Sequence, residues 1–285
     1  MGRSEPTTAP PASLAAYAIA TFVTVFTILS QYFVPQLFPV ARPVYEGIVP
    51  TFLLVYGVPI ATFVALVGGG PLRGWAAQMR TATVEGLSWY GTLTLLALFL
   101  GVVYLGILIR IDPSALNSLN TPTPIVRVAA QDPWLWVGLS FAVGVVEELI
   151  FRGWIFGYWL QRSPQSWKLH AAWTSVLFAG VHVYYALTYG PVFIVPAVLL
   201  VLDGAAFAIT MRNSAGNLVL VSLLHGWNDA TVFMALAIPT LGLALHYAVV
   251  LVGAVLAAVL YVRNRPAVPP GVAPLSPRSG GGTGS

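Results

Sequence analysis

The sequence predicts an all-α polytopic membrane protein, a bundle of about eight transmembrane helices with an intramembrane polar cavity. The first observation is composition: of 285 residues, 58% are hydrophobic and only 8% are charged, and the mean hydropathy is +0.82. A soluble domain carries about a quarter charged residues, so a soluble globular enzyme is excluded. The second observation is a series of apolar segments of about 20 residues, the length a helix needs to cross about 30 Å of hydrocarbon.

Eight segments meet this length and define the domain organisation. The first is expected to remain as a helix, because Glu5 precedes it and Pro35 follows it where a signal peptide would have a small-residue cleavage site. Pro, Gly and Ser dominate both tails, so residues 1–13 and 263–285 are predicted to be disordered around one transmembrane domain, 14–262, with its core at about 134–238. The predicted spans are Leu14–Val34, Gly47–Val67, Leu87–Ile109, Trp134–Leu160, Ala171–Tyr189, Val192–Met211, Leu218–Ile238 and Leu241–Val262.

The distribution of Lys and Arg predicts the orientation in the membrane. Nine of the 13 basic residues fall on one side of the predicted spans, three on the other and one inside a span. Since basic residues are enriched in cytoplasmic loops, both termini are predicted to face the cytoplasm, most simply across the cell membrane. The nine are Arg3, Arg73, Arg80, Arg162, Lys168, Arg212, Arg263, Arg265 and Arg278, and the three are Arg42, Arg110 and Arg127.

Two further features exclude classes of function. The chain has no cysteine, which excludes disulfides, thiolate nucleophiles, iron–sulfur clusters and cysteine zinc sites. Its net charge of +4 is scattered over loops and tails and forms no stripe that could follow a phosphate backbone. We therefore expect the lipid bilayer as a partner and no nucleic acid.

Several ionisable residues lie inside the apolar segments, where each costs about 2.5 to 3.5 kcal/mol on insertion scales. Such residues need a partner, a water-filled cavity or a function. At 1.5 Å per residue, Glu147, His182 and His225 lie at similar depths and can share one layer. The full set is Glu147, Glu148 and Arg152 in the fourth span, His182 in the fifth, Asp203 in the sixth, and His225 and Asp229 in the seventh.

Helical spacing separates the two adjacent glutamates. Glu148 and Arg152 are four residues apart and can form an ion pair on one helix face, whereas Glu147 is turned about 100° away. Glu147 thus lies outside that pair. A poorly hydrated cavity disfavours the charged form of a carboxylate, so such a group can take a proton from water near neutral pH. Glu147 is the candidate general base, and a structural lock is the simpler interpretation of Glu148 with Arg152.

The histidines differ in the residues that neighbour them. Phe178 and His182 are an i, i+4 pair, so the ring can restrict the imidazole, which could hold a water beside Glu147. His225 and Asp229 repeat the spacing, and two histidines with a carboxylate on three helices are too costly for structure alone. Asp203 is interpreted as a partner for Arg152 or as a polar contact between helices. His170 and His246 lie near helix ends, and we assign them no role.

The ordered set Glu147-Glu148-x-x-x-Arg152, Phe178-x-x-x-His182 and His225-x-x-x-Asp229 resembles the CAAX prenyl protease and bacteriocin-processing family of membrane endopeptidases. The resemblance covers about Val143 to Asp229 and implies a conical cavity in which a peptide bond is cut. It implies that Glu147 activates water with His182, and that His225 and Asp229 stabilise the oxyanion. Family members more often carry Asn at the position of Asp229, and an ionised Asp cannot donate a hydrogen bond. Asp229 is therefore held protonated by burial, or it orients His225, or Asn228 supplies the donor; we favour the second.

Other functions remain open at the level of sequence. Two histidines and a glutamate could instead bind a catalytic zinc ion, although a HExxH motif is absent and the expected enzyme needs no metal or other cofactor. A proton-coupled transporter would use similar residues, but no paired Gly/Pro-interrupted halves are found. A non-catalytic scaffold or immunity protein could retain the same fold. The expected substrate is a lipidated or hydrophobic peptide, and the catalytic set is Glu147, Glu148, Arg152, His182, His225 and Asp229.

Overall fold

A computed structural model describes residues 13–38, 40, 48–81, 132–183, 194–214 and 216–237, together with residues 251, 255, 258, 259 and 262. Helix accounts for nearly all of this part of the chain, and no strand occurs in it. The predicted all-α class is confirmed. The predicted third span, the tight connections near Gly190 and Pro239, and both predicted tails except Ser13 lie outside these ranges, as does most of the eighth span.

The described residues up to 237 contain nine α-helices, two of them continued by π-helical turns. The π turns are Leu53–Gly57, between α2 and α3, and Leu149–Phe156, between α5 and α6; a 3-10 turn, Pro164–Ser166, precedes α7. The helices are α1 (Leu14–Leu37), α2 (Ile48–Phe52), α3 (Val58–Leu66), α4 (Gly70–Thr81), α5 (Pro133–Glu148), α6 (Gly157–Arg162), α7 (Trp167–Gly180), α8 (Ile194–Asn213) and α9 (Leu218–Ala237).

Three of the helical stretches are long and apolar enough to cross a membrane: Leu14–Pro35, Val49–Leu66 and Pro133–Arg162. They coincide with the first, second and fourth predicted spans. A shorter apolar helix, Leu218–Met234, falls within the seventh. The protein is therefore a helical membrane protein, and large apolar side chains such as Phe22 and Phe26, 68% and 61% exposed, are suited to contact with lipid.

The predicted fifth span, Ala171–Tyr189, differs from the observed helix. α7 begins four residues earlier and ends at Gly180, and Val181 to Val183 form a turn. The His182 N–H bonds to the Ala179 carbonyl at 3.0 Å and the Val183 N–H to the Gly180 carbonyl at 3.2 Å, so three-residue bonds tighten the chain there. The apolar run concealed this end, because hydropathy does not distinguish a turn from a helix. His182 thus follows α7 and does not lie within it.

The chain forms two compact units, with the boundary between Gly70 and Pro71. In the first unit, α1 packs against α3 and the preceding π turn. The Ser13 hydroxyl caps α1 by accepting a hydrogen bond from the Ala16 N–H at 3.1 Å. Tyr17, Ala20 and Thr24 form the buried face of α1. Motif residues are absent from this unit, and its described part carries apolar spans.

The second unit contains α4 to α9, and its main contact is between α5 and α9. A Cβ atom on Gly144 would lie 2.5 Å from the Gly226 backbone nitrogen, and one on Gly226 would lie 2.7 Å from the Phe141 Cα. The two backbones therefore touch, which is possible only because both positions are glycine. α7 and α8 approach similarly, since a Cβ atom on Gly204 would lie 2.9 Å from the Ser175 Cβ. These crossings bring the motif-bearing helices together.

Candidate active site

Glu148 joins the first and third motifs through a single carboxylate oxygen. Glu148 Oε1 accepts a hydrogen bond from Arg152 Nη1 at 2.8 Å and lies 2.7 Å from His225 Nδ1. The three side chains are buried. The predicted ion pair between Glu148 and Arg152 is therefore present, and it extends to the histidine of α9. The second oxygen, Glu148 Oε2, is buried and makes no hydrogen bond within the described part of the chain.

This contact fixes the orientation of the His225 ring. A carboxylate oxygen paired with Arg152 can only accept, so His225 Nδ1 carries a proton and donates it. The other nitrogen, Nε2, then faces two more carboxylates: Glu147 Oε2 at 3.6 Å and Asp229 Oδ2 at 3.5 Å. His225 is thus held at one nitrogen and flanked by acidic groups at the other.

The orientation of His225 by Asp229, favoured from the sequence, stays a prediction, and the structure adds Glu148 as a second acidic partner of the ring. Glu148 holds Nδ1, and Asp229 stands beside Nε2 at 3.5 Å. The cause is the Gly144–Gly226 crossing, which brings the end of α5 against His225 and places Glu148 within reach of Nδ1. The sequence does not show how closely the two helices approach. It therefore predicts only the partner four residues away on the same helix, Asp229, and not Glu148.

Arg152 is buried and has both polar and aromatic partners. Besides Glu148, its guanidinium donates to the Gly204 carbonyl of α8 at 3.1 Å. The Cζ atom lies 4.6 Å from the centre of the Phe178 ring and 5.3 Å from that of Phe207. Hydrogen bonds and aromatic faces together offset the cost of burying a cation. Arg152 therefore ties α8 to Glu148, which is the structural role that its spacing predicted.

Aromatic rings hold both histidines of the motifs. The Phe178 ring lies 4.9 Å from His182 and 5.7 Å from His225 between ring centres, while Phe207 stacks on His225 at 5.2 Å and 19°. His182 Nδ1 donates to the Phe178 carbonyl at 2.8 Å. The predicted packing of Phe178 on His182 is present. The rings of His182 and His225 thus share Phe178 as a neighbour.

Asp203 is not one of the residues predicted from the sequence to be catalytic. It is half-buried on α8 and interacts electrostatically with Arg152, His225 and Asp229. The neighbouring Gly204 carbonyl binds Arg152, and Phe207, one turn later on α8, stacks on His225. Asp203 therefore belongs to this cluster, and its interpretation as a partner for Arg152 holds only in part. The i, i+4 spacing of Asp203 and Phe207 was the available signal.

Within the ranges that the structure describes, no three His, Asp or Glu side chains converge at metal-binding spacing. Glu147 and Asp229 both lie near one imidazole nitrogen, His225 Nε2. A water molecule can accept or donate at about 2.8 Å to two atoms that are 3.6 Å apart, so Glu147 Oε2 and His225 Nε2 can hold one water together. The arrangement is suited to proton transfer between a water molecule and a carboxylate beside an imidazole.

One of three comparisons with known proteins gave a match. The family model described as type II CAAX prenyl endopeptidase, Rce1-like, matches residues 129–231. The match contains all six predicted catalytic residues, and it confirms the resemblance to the CAAX prenyl protease and bacteriocin-processing family. It supports a hydrolase of the CAAX-type intramembrane protease class in general. Searches of curated proteins and of solved structures gave no match.

Proposed function

We propose that this protein is a glutamate-dependent intramembrane endopeptidase that cuts a lipidated or hydrophobic peptide without an obligatory metal or other cofactor. The observation that carries the proposal is the arrangement around one imidazole. Glu148 secures His225 Nδ1 at 2.7 Å, which leaves Nε2 facing Glu147 at 3.6 Å and Asp229 at 3.5 Å. A buried base and a polarising N–H thus meet in one place, on helices of an apolar protein.

Glu147 is the general base of the proposed reaction. Its carboxylate takes one proton from a water molecule while the water oxygen bonds to the carbonyl carbon of the peptide. The carbonyl electron pair moves onto oxygen and forms a tetrahedral oxyanion. When the carbon–nitrogen bond breaks, Glu147 returns the proton to the leaving nitrogen. The products are a new carboxyl terminus and a new amine, and the enzyme is unchanged.

His225 stabilises the oxyanion. Nδ1 already carries a proton, which it donates in a hydrogen bond to Glu148. A second proton on Nε2 therefore makes the ring an imidazolium. That N–H is a charged donor aimed into the space where the oxyanion forms. Asp229, which has no proton to donate when it is ionised, stabilises the positive ring from beside Nε2. This division of roles accounts for Asp at a position where family members more often have Asn.

His182 is proposed to hold the substrate water or carbonyl from the far side of Phe178. Its Nδ1–H is used by the Phe178 carbonyl at 2.8 Å, which makes Nε2 the acceptor nitrogen of the neutral ring. His182 is half-buried and lies in the turn that follows the end of α7. We further propose that the protein resides in the cell membrane with both termini in the cytoplasm, as the Lys and Arg distribution predicts.

The proposal is tested by a peptide-cleavage screen with purified protein in nanodiscs. Wild type is compared with Glu147→Gln and His225→Ala on lipidated and hydrophobic peptides. General-base catalysis contributes about 10²- to 10⁴-fold, so Glu147→Gln should lose at least about a hundredfold in kcat. His225→Ala should lose a similar factor. Equal turnover by all three proteins would contradict the assignment of the site.

Two controls separate the remaining alternatives. Activity that survives thorough chelation supports the metal-free mechanism, and activity restored only by added Zn²⁺ would replace it with a zinc mechanism. A cellular phenotype that persists in an inserted Glu147→Ala protein would favour a scaffold or immunity role. Proton flux into proteoliposomes without peptide cleavage would favour a proton-coupled transporter.

A further inference from the structure

A residue outside the range that the family model matches forms hydrogen bonds with the start of α9. Gln78 lies on α4, and its Nε2 donates to the Gly216 carbonyl at 2.8 Å. Its Oε1 accepts from the Leu218 N–H at 2.9 Å and lies 3.4 Å from the Val219 nitrogen. The first N–H groups of a helix have no hydrogen-bond partners within it, so a side chain of another helix accepts their hydrogen bonds here.

The local chain supplies only part of this cap. Asn217 Oδ1 accepts from the Leu220 N–H at 2.9 Å, which is an ordinary side-chain cap from the residue before the helix. Gly216 has a φ of 68°, a left-handed conformation that glycine adopts without strain. The N–H groups of Leu218 and Val219 are left to Gln78. Two residues, one local and one 140 positions earlier than Leu218, therefore define where α9 begins.

α4 also contacts the π turn that contains Arg152. A Cβ atom on Gly153 would lie 2.8 Å from Pro71 Cβ and 3.4 Å from Leu218 Cδ1. Gly153 follows Arg152 in the buried π turn, and Pro71 is in the first turn of α4. The same short helix thus abuts the neighbour of Arg152 and, through Gln78, the first residue of α9.

We propose that Gln78 is a positioning residue that sets the height of His225 against Glu147 and Glu148. His225 follows Leu218 by seven residues, nearly two full turns, so it lies on almost the same helix face about 10 Å further along. A slip or rotation at the cap is therefore carried along α9 to the imidazole. Misplacement by about 1 Å can cost about a hundredfold in rate, and the Nδ1 contact with Glu148 is 2.7 Å. The consequence for catalysis rests on the proposed function.

The test uses two substitutions at Gln78 and one matched control. Gln78→Leu removes donor and acceptor, whereas Gln78→Glu keeps the acceptor for Leu218 and Val219. Gln165→Leu makes the same chemical change at an exposed position in the 3-10 turn. All are made in the full chain in nanodiscs. Amide hydrogen exchange at Leu218 and Val219 should rise about tenfold in Gln78→Leu and stay near wild type in the other two.

The position of His225 is then read without substrate, from the proton NMR resonance of its Nδ1–H. We expect this resonance to move or broaden in Gln78→Leu and to return in Gln78→Glu. In turnover, kcat should fall about tenfold with KM within twofold, and Gln78→Glu should recover most of the loss. Faster exchange with an unchanged Nδ1–H resonance would overturn the proposal and reduce Gln78 to a structural cap, as would unchanged exchange. Loss of all cleavage in wild type would overturn the proposed function alone, because the resonance needs no turnover.

Discussion

The described part of the second unit contains two buried histidines with contrasting surroundings. His225 is 3% exposed and His170 is 7% exposed. His170 Nε2 lies 2.6 Å from the Ser163 hydroxyl, Nδ1 accepts from Trp173 Nε1 at 3.4 Å, and the ring stacks on Trp159 at 5.4 Å and 22°. Every one of these partners is uncharged. His225 instead faces Glu147, Glu148, Asp203 and Asp229, as well as the cation Arg152.

The two histidines are alike in burial and differ in the charge around the imidazole. Neutral partners satisfy both nitrogens of His170, and burial lowers the pKa of this residue below its usual value. A neutral His170 with Nε2–H on Ser163 and Nδ1 accepting from Trp173 is a stable connection between α6 and α7. Around His225, four carboxylates meet one guanidinium, and such an arrangement is costly unless protons move within it.

The largest effect that would sharpen this contrast is expected from Glu148→Gln. The substitution removes the charge that Arg152 and His225 share, and it leaves a buried guanidinium without its ion-pair partner. We expect the free energy of unfolding to fall by about 3 to 5 kcal/mol and kcat to fall by at least about a hundredfold. Thermal unfolding and turnover are measured beside Asp132→Asn, an exposed cap residue of α5. A loss of less than threefold in kcat would show that Glu148 does not organise the site.

Gly144→Ala should have the next largest effect, because its Cβ would lie 2.5 Å from the Gly226 nitrogen. The helices must separate, at a cost of about 1 to 3 kcal/mol, and the Glu148–His225 contact must lengthen. Gly138→Ala is the control on the same helix, since a Cβ atom there would have no neighbour within 4 Å. Gly138→Ala should be neutral or stabilising by about 0.5 to 1 kcal/mol. Equal unfolding temperatures for the two variants would contradict the close crossing of α5 and α9.

Asp203→Asn is expected to lower kcat about tenfold with little change in stability. The substitution keeps the size of the side chain and removes a negative charge that interacts with Arg152 and His225. Arg152 keeps its bond to the Gly204 carbonyl, because that acceptor belongs to the backbone. Asp203→Glu should recover activity if the charge is what matters. Turnover of Asp203→Asn equal to that of wild type would show that Asp203 does not contribute to the site.

His170→Gln should have the smallest effect on catalysis. We expect kcat within twofold of wild type, because the residue and its partners carry no motif function. Loss of the bond to Ser163 should lower the free energy of unfolding by about 1 kcal/mol. Denaturation curves and turnover on one preparation check both values. A hundredfold loss of kcat would mean that the uncharged cluster takes part in catalysis and would break the contrast with His225.

Much of this site could be predicted from the sequence because its main signals are short-range. Ionisable groups in apolar segments identified Glu147, Glu148, Arg152, His225 and Asp229, and i, i+4 spacing gave the Glu148–Arg152 pair that the structure contains. The helical class and the first, second and fourth spans followed from hydropathy alone. These features depend on residues that are close together along the chain.

The features that could not be predicted depend on contacts between distant segments. The bond from Glu148 to His225 spans 77 positions, and the cap that Gln78 gives α9 spans 140. Both contacts depend on close packing at glycines. The composition indicates only that helices rich in glycine tend to pack closely, and not where they do so. The end of α7 at Gly180 was missed because the apolar run continues past it.

The most direct test of the central claim, that Glu147 acts as a base on water, is a single-turnover cleavage in ¹⁸O-enriched water followed by mass spectrometry of both product and enzyme. If Glu147 only removes a proton, the new carboxyl terminus of the product carries one ¹⁸O atom and the peptide containing Glu147 carries none. Label in the Glu147 carboxylate would show instead that this side chain attacks the substrate itself and forms a covalent intermediate.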